Sequence, residues 1–134
     1  MLTVALVEDN PDNRLVVRLL LGERYRVRDY ATGAAALAAF AGESPDLVLT
    51  DIDMPGMDGI EVLARVRAMP GMAGVPVVAI TAHAMRGQRE QLLAAGFDEY
   101  VSKPVVDDTV LFDVIDRCVA ARRAARPLAL CGAA

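Results

Sequence analysis

The stretch from Pro45 to Gly59, PDLVLTDIDMPGMDG, decides how the chain is read. Its apolar run, Leu47-Val48-Leu49, gives way at Asp51 to a loop dense in turn residues. A short apolar run bounded by Pro, Asp and Gly predicts a strand buried on both faces. An acid in the middle of such a strand would carry a heavy desolvation cost. The C-terminal end of a parallel strand, by contrast, opens on the crevice where these sheets place their chemistry. Asp51 stands at that mouth and is the leading candidate for a reactive residue.

Around this stretch, 134 residues suffice for one domain with a core of its own. Apolar residues make up 54% of the chain, yet no apolar run reaches membrane-span length and no cleavable leader is visible, so a soluble cytoplasmic protein without membrane contact is expected. A formal net charge of −4 argues against direct nucleic-acid binding, which needs a basic face. Cys118 and Cys131 lack metal or redox spacing and read as free thiols in a reducing compartment. Of the 14 basic residues only Lys103 is a lysine. A chain that otherwise uses the planar guanidinium keeps a single compact ammonium there.

The remaining chain alternates. Thr3–Val7 reads as a strand ending in Glu8-Asp9-Asn10. Asn10-Pro11 reads as an N-cap followed by Pro in a first helical turn, with Leu15, Val16, Leu19 and Leu20 as the apolar face up to Gly22. Val27–Tyr30 is a second strand, and Thr32 caps a helix to about Ala41 packed through Leu37 and Phe40. Asp58-Gly59 opens a third helix with Ile60, Leu63 and Val66 inward. Pro76–Ile80 is a fourth strand with Thr81 at its end. A helix from about Met85 to Ala95 stops at Gly96, and Asp98–Ser102 precedes Lys103-Pro104. Asp107-Asp108 starts a last helix with Val110, Leu111, Val114, Ile115, Cys118 and Val119 inward and Arg122 and Arg123 at its negative end.

Five strands alternating with five helices predict an α/β, doubly wound, five-stranded parallel sheet. Chain length and rhythm favour the flavodoxin-like order 2-1-3-4-5, with the crevice between strands one and three. That order gathers Glu8, Asp9, Asp51, Thr81 and Lys103 at one sheet edge. Residues 1–123 are expected to form the domain, and 124–134 a short disordered tail with no second domain. Three carboxylates in one crevice repel unless a cation intervenes. An all-oxygen set with room for water suits Mg2+ or Mn2+. With a metal, a Lys ammonium and a Thr hydroxyl around three phosphoryl oxygens, Asp51 becomes a carboxylate nucleophile that forms an acyl phosphate.

These residues carry a family resemblance. Glu8-Asp9 after the first strand, Asp51 before Met54-Pro55-Gly56-Met57-Asp58-Gly59, Thr81 in AITAHAM and Lys103-Pro104 in YVSKP resemble the receiver domain of two-component response regulators. The resemblance spans residues 2–122, and five motifs in order at these spacings make it specific. It implies phosphoryl transfer to Asp51 from a phosphohistidine on a sensor histidine kinase or histidine phosphotransfer protein. It implies that Asp9 and Asp51 ligate Mg2+ directly, with the Asp53 backbone carbonyl as third protein ligand and Glu8 acting through a water. Lys103 would pair first with Asp51 and then with a phosphoryl oxygen. Thr81 would swing onto the phosphoryl group while Tyr100 turns inward, a bistable element biased by local charge. The face of helix four, strand five and helix five would meet a downstream partner. The chain would be a stand-alone signalling receiver rather than a turnover enzyme, monomeric and able to dimerise on phosphorylation.

Two rivals are weaker. Asp51-Ile52-Asp53 also resembles the D-x-D of haloacid-dehalogenase-type phosphatases, but there D-x-D follows the first strand and the acid pair comes late. The order here is the reverse, and no cap domain is present. A flavin or nucleotide module would need a Gly-rich phosphate loop where Glu8-Asp9-Asn10-Pro11 would repel phosphate. Of the remaining residues, Met54, Met57 and Met85 read as packing. His83 reads as a loop residue near the mouth, with a role in hydrolysis of the acyl phosphate as the alternative. The Asp53 side chain reads as facing solvent, with slowing of anionic donors as the alternative.

Overall fold

Buried apolar strands and side-chain caps at helix starts build the chain into a three-layer sandwich. The computed structural model describes residues 2–22, 24–82, 88–103 and 108–125, without the side chains of residues 89 and 123–125. The strands are β1 (Thr3–Val7), β2 (Arg26–Tyr30), β3 (Leu47–Asp51), β4 (Val77–Thr81) and β5 (Glu99–Ser102). They form one parallel sheet in the order β2-β1-β3-β4-β5. The helices are α1 (Pro11–Leu21), α2 (Gly33–Phe40), α3 (Gly59–Ala68), α4 (Gln88–Ala95) and α5 (Asp108–Ala125). The expected α/β sheet and its order are both present.

Every residue of β3 and β4 is buried, as parallel strands covered on both faces require. Alternate side chains feed two cores. Ala5, Val7, Val48, Val77 and Ala79 pack with Phe40, Leu63 and Val66 on the α2–α3–α4 face. Val4, Leu6, Leu47, Leu49, Val78 and Ile80 pack with Val17, Leu21, Leu111 and Ile115 on the α1–α5 face. No helix is long and apolar enough to cross a membrane among the described residues.

Caps fix where the helices start. The Asn10 side chain accepts from the Asp12 and Asn13 amides, Thr32 from Ala35 and Asp58 from Glu61. Gly22 ends α1 at φ 48°, a conformation that favours glycine. Gly59 serves a different need. A Cβ there would run into the Asp51 carbonyl oxygen and lie 2.8 Å from the Ile52 Cα, so only glycine lets α3 start against the backbone of the β3 terminus.

Three inward faces differ from the sequence reading. In α1, Val17 and Leu21 are buried, whereas Leu15, Val16 and Leu19 are 56%, 43% and 70% exposed. The helix is rotated because Asn13 and Arg14 turn toward the β1–α1 loop, which carries Val17 and Leu21 inward behind them. In α3 the start at Gly59 puts Val62, Leu63 and Val66 inside and leaves Ile60 49% exposed. In α5 Leu111, Val114, Ile115 and Val119 are buried, Cys118 is half-buried, and Val110 faces out. Met54 is buried and Met57 half-buried, as packing residues. The expectations for His83, Met85, Pro104, Asp107, Cys131 and the tail beyond Ala125 lie outside the described residues, as does the side chain of Arg123.

Candidate functional site

Parallel strands of equal phase end together, so the residues after them meet. The pairing of Val7 with Thr50 sets Glu8 next to Asp51 at the ends of β1 and β3. Thr81 closes β4, and the Lys103 amide donates to the Thr81 carbonyl at 2.8 Å, which fixes the turn after β5. Asp51, Glu8 and Thr81 are 3%, 2% and 1% exposed, while Asp9 and Asp53 lie at the open rim.

The lone lysine reaches the center of this cluster. Lys103 Nζ donates to Asp51 Oδ2 at 2.9 Å and to Glu8 Oε1 at 3.3 Å. The other Asp51 oxygen accepts from the Asp53 amide at 3.3 Å, and Asn13 Nδ2 donates to Glu8 Oε1 at 2.8 Å. Glu8 Oε2 is buried with no hydrogen-bond partner among the described residues. One carboxylate oxygen from each of Glu8, Asp9 and Asp51 lies within 4.8 Å of the others.

The electrostatics follow from that crowding. Two carboxylates at 4.8 Å repel by roughly 3 kcal/mol at an effective dielectric of about 20, and one ammonium cannot neutralise three of them. Burial and the neighbouring Asp51 carboxylate raise Glu8 to about 7, against the lowering effect of Asn13 and Lys103. Burial pulls the Lys103 ammonium down, but the hydrogen bond to Asp51 and the charges of Glu8 and Asp51 outweigh it and hold it above its usual value. Lys103 therefore stays charged. The orphaned Glu8 oxygen and the all-oxygen donor set fit a hard divalent cation.

The expected site residues Glu8, Asp9, Asp51, Thr81 and Lys103 come together at this edge, with Asp53 next to Asp51. Tyr100 stands apart, half-buried against the α2–α3–α4 core and paired in register with Ala79. Strand alternation puts it on the same sheet face as Thr81. The sequence reading missed Asn13 and Arg14. Both look like solvent-facing residues of α1, and their signal was positional: they fill the first turn directly after an acid pair at a strand end.

Comparison with known proteins agrees with this geometry. The family model described as "Response regulator receiver domain" matches residues 4–116. The chain is 38% identical over 108 residues to the signal transduction histidine-protein kinase BarA of Escherichia coli, covering 80% of this chain and 12% of that protein. It is 40% identical over 110 residues to the response regulator PleD of Caulobacter vibrioides, covering 81% and 24%. The chain thus spans well under a third of the length of these relatives. Among solved structures, the receiver domain of sensor histidine kinase PA1611 from Pseudomonas aeruginosa superposes with a TM-score of 0.80 at 33% identity, covering 89% of this chain and 98% of that one. That structure has a magnesium ion coordinated in its active-site cleft.

A cation held between these carboxylates would compete with the proton that Glu8 holds below about pH 7. Mg2+ affinity is therefore expected to rise from pH 6 to pH 8 and then level off, with proton release on binding at the lower pH. Calorimetric titration in buffers of different ionisation enthalpy reads both, and in Glu8→Gln the rise through pH 7 should vanish.

Proposed function

The chain belongs to the response regulator receiver family, and we propose that Asp51 is its phosphoacceptor in a two-component or phosphorelay pathway. The observation that carries this reading is the 2.9 Å contact from Lys103 Nζ to Asp51 Oδ2 within a buried group of carboxylates. Asp51 is oriented by the Lys103 ammonium and the Asp53 amide, and shielded from water on its strand side. A carboxylate oxygen of Asp51 attacks the phosphorus of a partner's phosphohistidine. The O–P bond forms as the P–N bond breaks, and the imidazole nitrogen leaves with the electron pair and takes a proton from water.

Asp9 and Asp51 would hold Mg2+, or Mn2+, directly, with the Asp53 carbonyl as a third ligand and Glu8 acting through a water. Bound there, the cation supplies charge neutralisation between carboxylates and phosphoryl oxygens. Lys103 moves from Asp51 to a phosphoryl oxygen. The Thr81 hydroxyl turns to another, and Tyr100 follows inward on the same face of the sheet. The surface of α4, β5 and α5 then presents a changed face to a downstream protein, with dimerisation through it as one outcome. The protein is a cytoplasmic signalling receiver rather than a turnover enzyme, and it does not itself bind nucleic acid.

The phosphodonor is a sensor histidine kinase or histidine phosphotransfer protein, in keeping with the kinases among its relatives. Exposed Leu15, Val16 and Leu19 on α1 support docking of such a partner, because α1 begins directly after the acid pair and offers an apolar stripe next to the site.

Incubation with Mg2+ and a small acyl phosphate or phosphoramidate should add one phosphoryl group by intact mass. Chelator or Asp51→Asn should abolish the gain, and an undiminished gain in Asp51→Asn would overturn the assignment. Leu19→Glu should slow transfer from a protein phosphohistidine at least tenfold, the scale of one lost apolar anchor, while small-donor phosphorylation stays unchanged. Equal slowing with both donors would count against docking on α1.

A further inference from the structure

The first turn of α1 grips the loop that carries Glu8 and Asp9. Arg14 Nη1 donates to the Glu8 carbonyl at 2.9 Å and to the Asp9 carbonyl at 3.2 Å. Its Nε lies 3.5 Å from Asp29 Oδ2 on β2. The other Asp29 oxygen accepts from Arg18 Nη1 at 2.9 Å. Asp29 therefore braces two arginines, but only Arg14 reaches the acid loop. Its side chain is 21% exposed, against 46% for Arg18, so the grip is sheltered from solvent.

A guanidinium bonded to the Glu8 and Asp9 carbonyls holds the two peptide planes on either side of the Asp9 Cα. Those planes set ψ of Glu8 and both soft dihedrals of Asp9, and with them the directions in which the two side chains leave the backbone. The adjacent Asn13 holds the Glu8 side chain itself at 2.8 Å. Main chain and side chain of Glu8 are thus tied to successive residues of one helical turn. Groups that orient the ligands of a metal commonly matter to its affinity nearly as much as the ligands.

We propose that Arg14 is a positioning residue of the cation site: braced by Asp29, it holds the Glu8–Asp9 peptide and so aims both carboxylates at a bound cation. The proposal rests on the cation-site reading given above and is independent of whether Asp51 is phosphorylated. The ordinary alternative is that Arg14 merely staples α1 to β2. In that case it would act on stability, and Arg18, which shares Asp29 and also contacts the Val27 carbonyl at 3.5 Å, would act alike.

Calorimetric titration of the full chain with Mg2+ at pH 8, alongside thermal melts without metal, separates the two. Arg14→Met should bind Mg2+ about tenfold more weakly. Arg14→Lys should stay well below wild type, because a single ammonium cannot hold both carbonyls and Asp29 at once, as Nη1 and Nε of the guanidinium do. Asp29→Asn should weaken binding several-fold, and Arg18→Met should leave it within about twofold. Wild-type affinity in a folded Arg14→Met, or an equal loss in Arg18→Met, would overturn the proposal. Should Arg14→Met not fold, unchanged affinity in Asp29→Asn overturns it alone. Absence of Mg2+ binding by the wild type would remove this proposal and the cation site together. Mg2+ binding without phosphoryl uptake would sink only the phosphoacceptor reading.

Discussion

The structure depends on a crowding of like charge at the C-terminal edge of a buried sheet. Asp51 and Glu8 are almost wholly inside, Asp9 stands within reach at the rim, and one ammonium faces them. Such an arrangement would be unfavourable as mere packing, since an unpaired buried carboxylate costs several kcal/mol, on the order of a large part of a domain's net stability. The protein relieves it in two ways. Lys103 lies between Asp51 and Glu8, and Glu8 keeps its proton up to about pH 7. The divalent cation proposed above would be a third, beside the Glu8 oxygen that has no hydrogen-bond partner among the described residues.

Everything else in the fold brings these groups to one point. The register of β1 with β3 sets the acids side by side, and the order of β3, β4 and β5 lines up Asp51, Thr81 and Lys103. Gly59 lets the α3 terminus press on the β3 end, which shapes the loop past Asp51. α1 does double work. Its later turns fill the core through Val17 and Leu21, while its first turn holds the acid loop through Asn13 and Arg14. Tyr25 and Arg24 carry the contact on to α5. Tyr25 Oη donates to Asp116, and the Arg24 guanidinium lies 4.7 Å from the center of the Phe112 ring. The acid site and α5, which lies on the proposed output face, are thus joined through α1 and the residues between it and β2.

Much of this was legible in the residues. Buried strands announce themselves as apolar runs, and an acid just past such a run is costly enough to signal purpose, so Asp51, Glu8 and Asp9 are legible from the sequence alone. The N-caps at Asn10, Thr32 and Asp58 were legible because the cap depends on a local side-chain geometry. Helix phase was not. Leu15, Leu19, Ile60 and Val110 read as core because apolar residues usually face inward, yet tertiary contacts rotate each helix so that these face out. Asn13 and Arg14 were overlooked for the same reason, since their inward direction follows from a loop they themselves hold. The long-range brace from Asp29 joins α1 to a strand that follows it in the chain, a pairing that no local pattern encodes.

The most direct test of the central claim is to find which side chain carries the phosphoryl group. After treatment with a small phosphodonor and Mg2+, borohydride reduction turns an acyl phosphate on aspartate into homoserine, which peptide sequencing by mass can locate. The account predicts homoserine at position 51 and nowhere else. Homoserine at Asp9 or Asp53, or a stable phosphoryl group on Thr81 or His83, would contradict it.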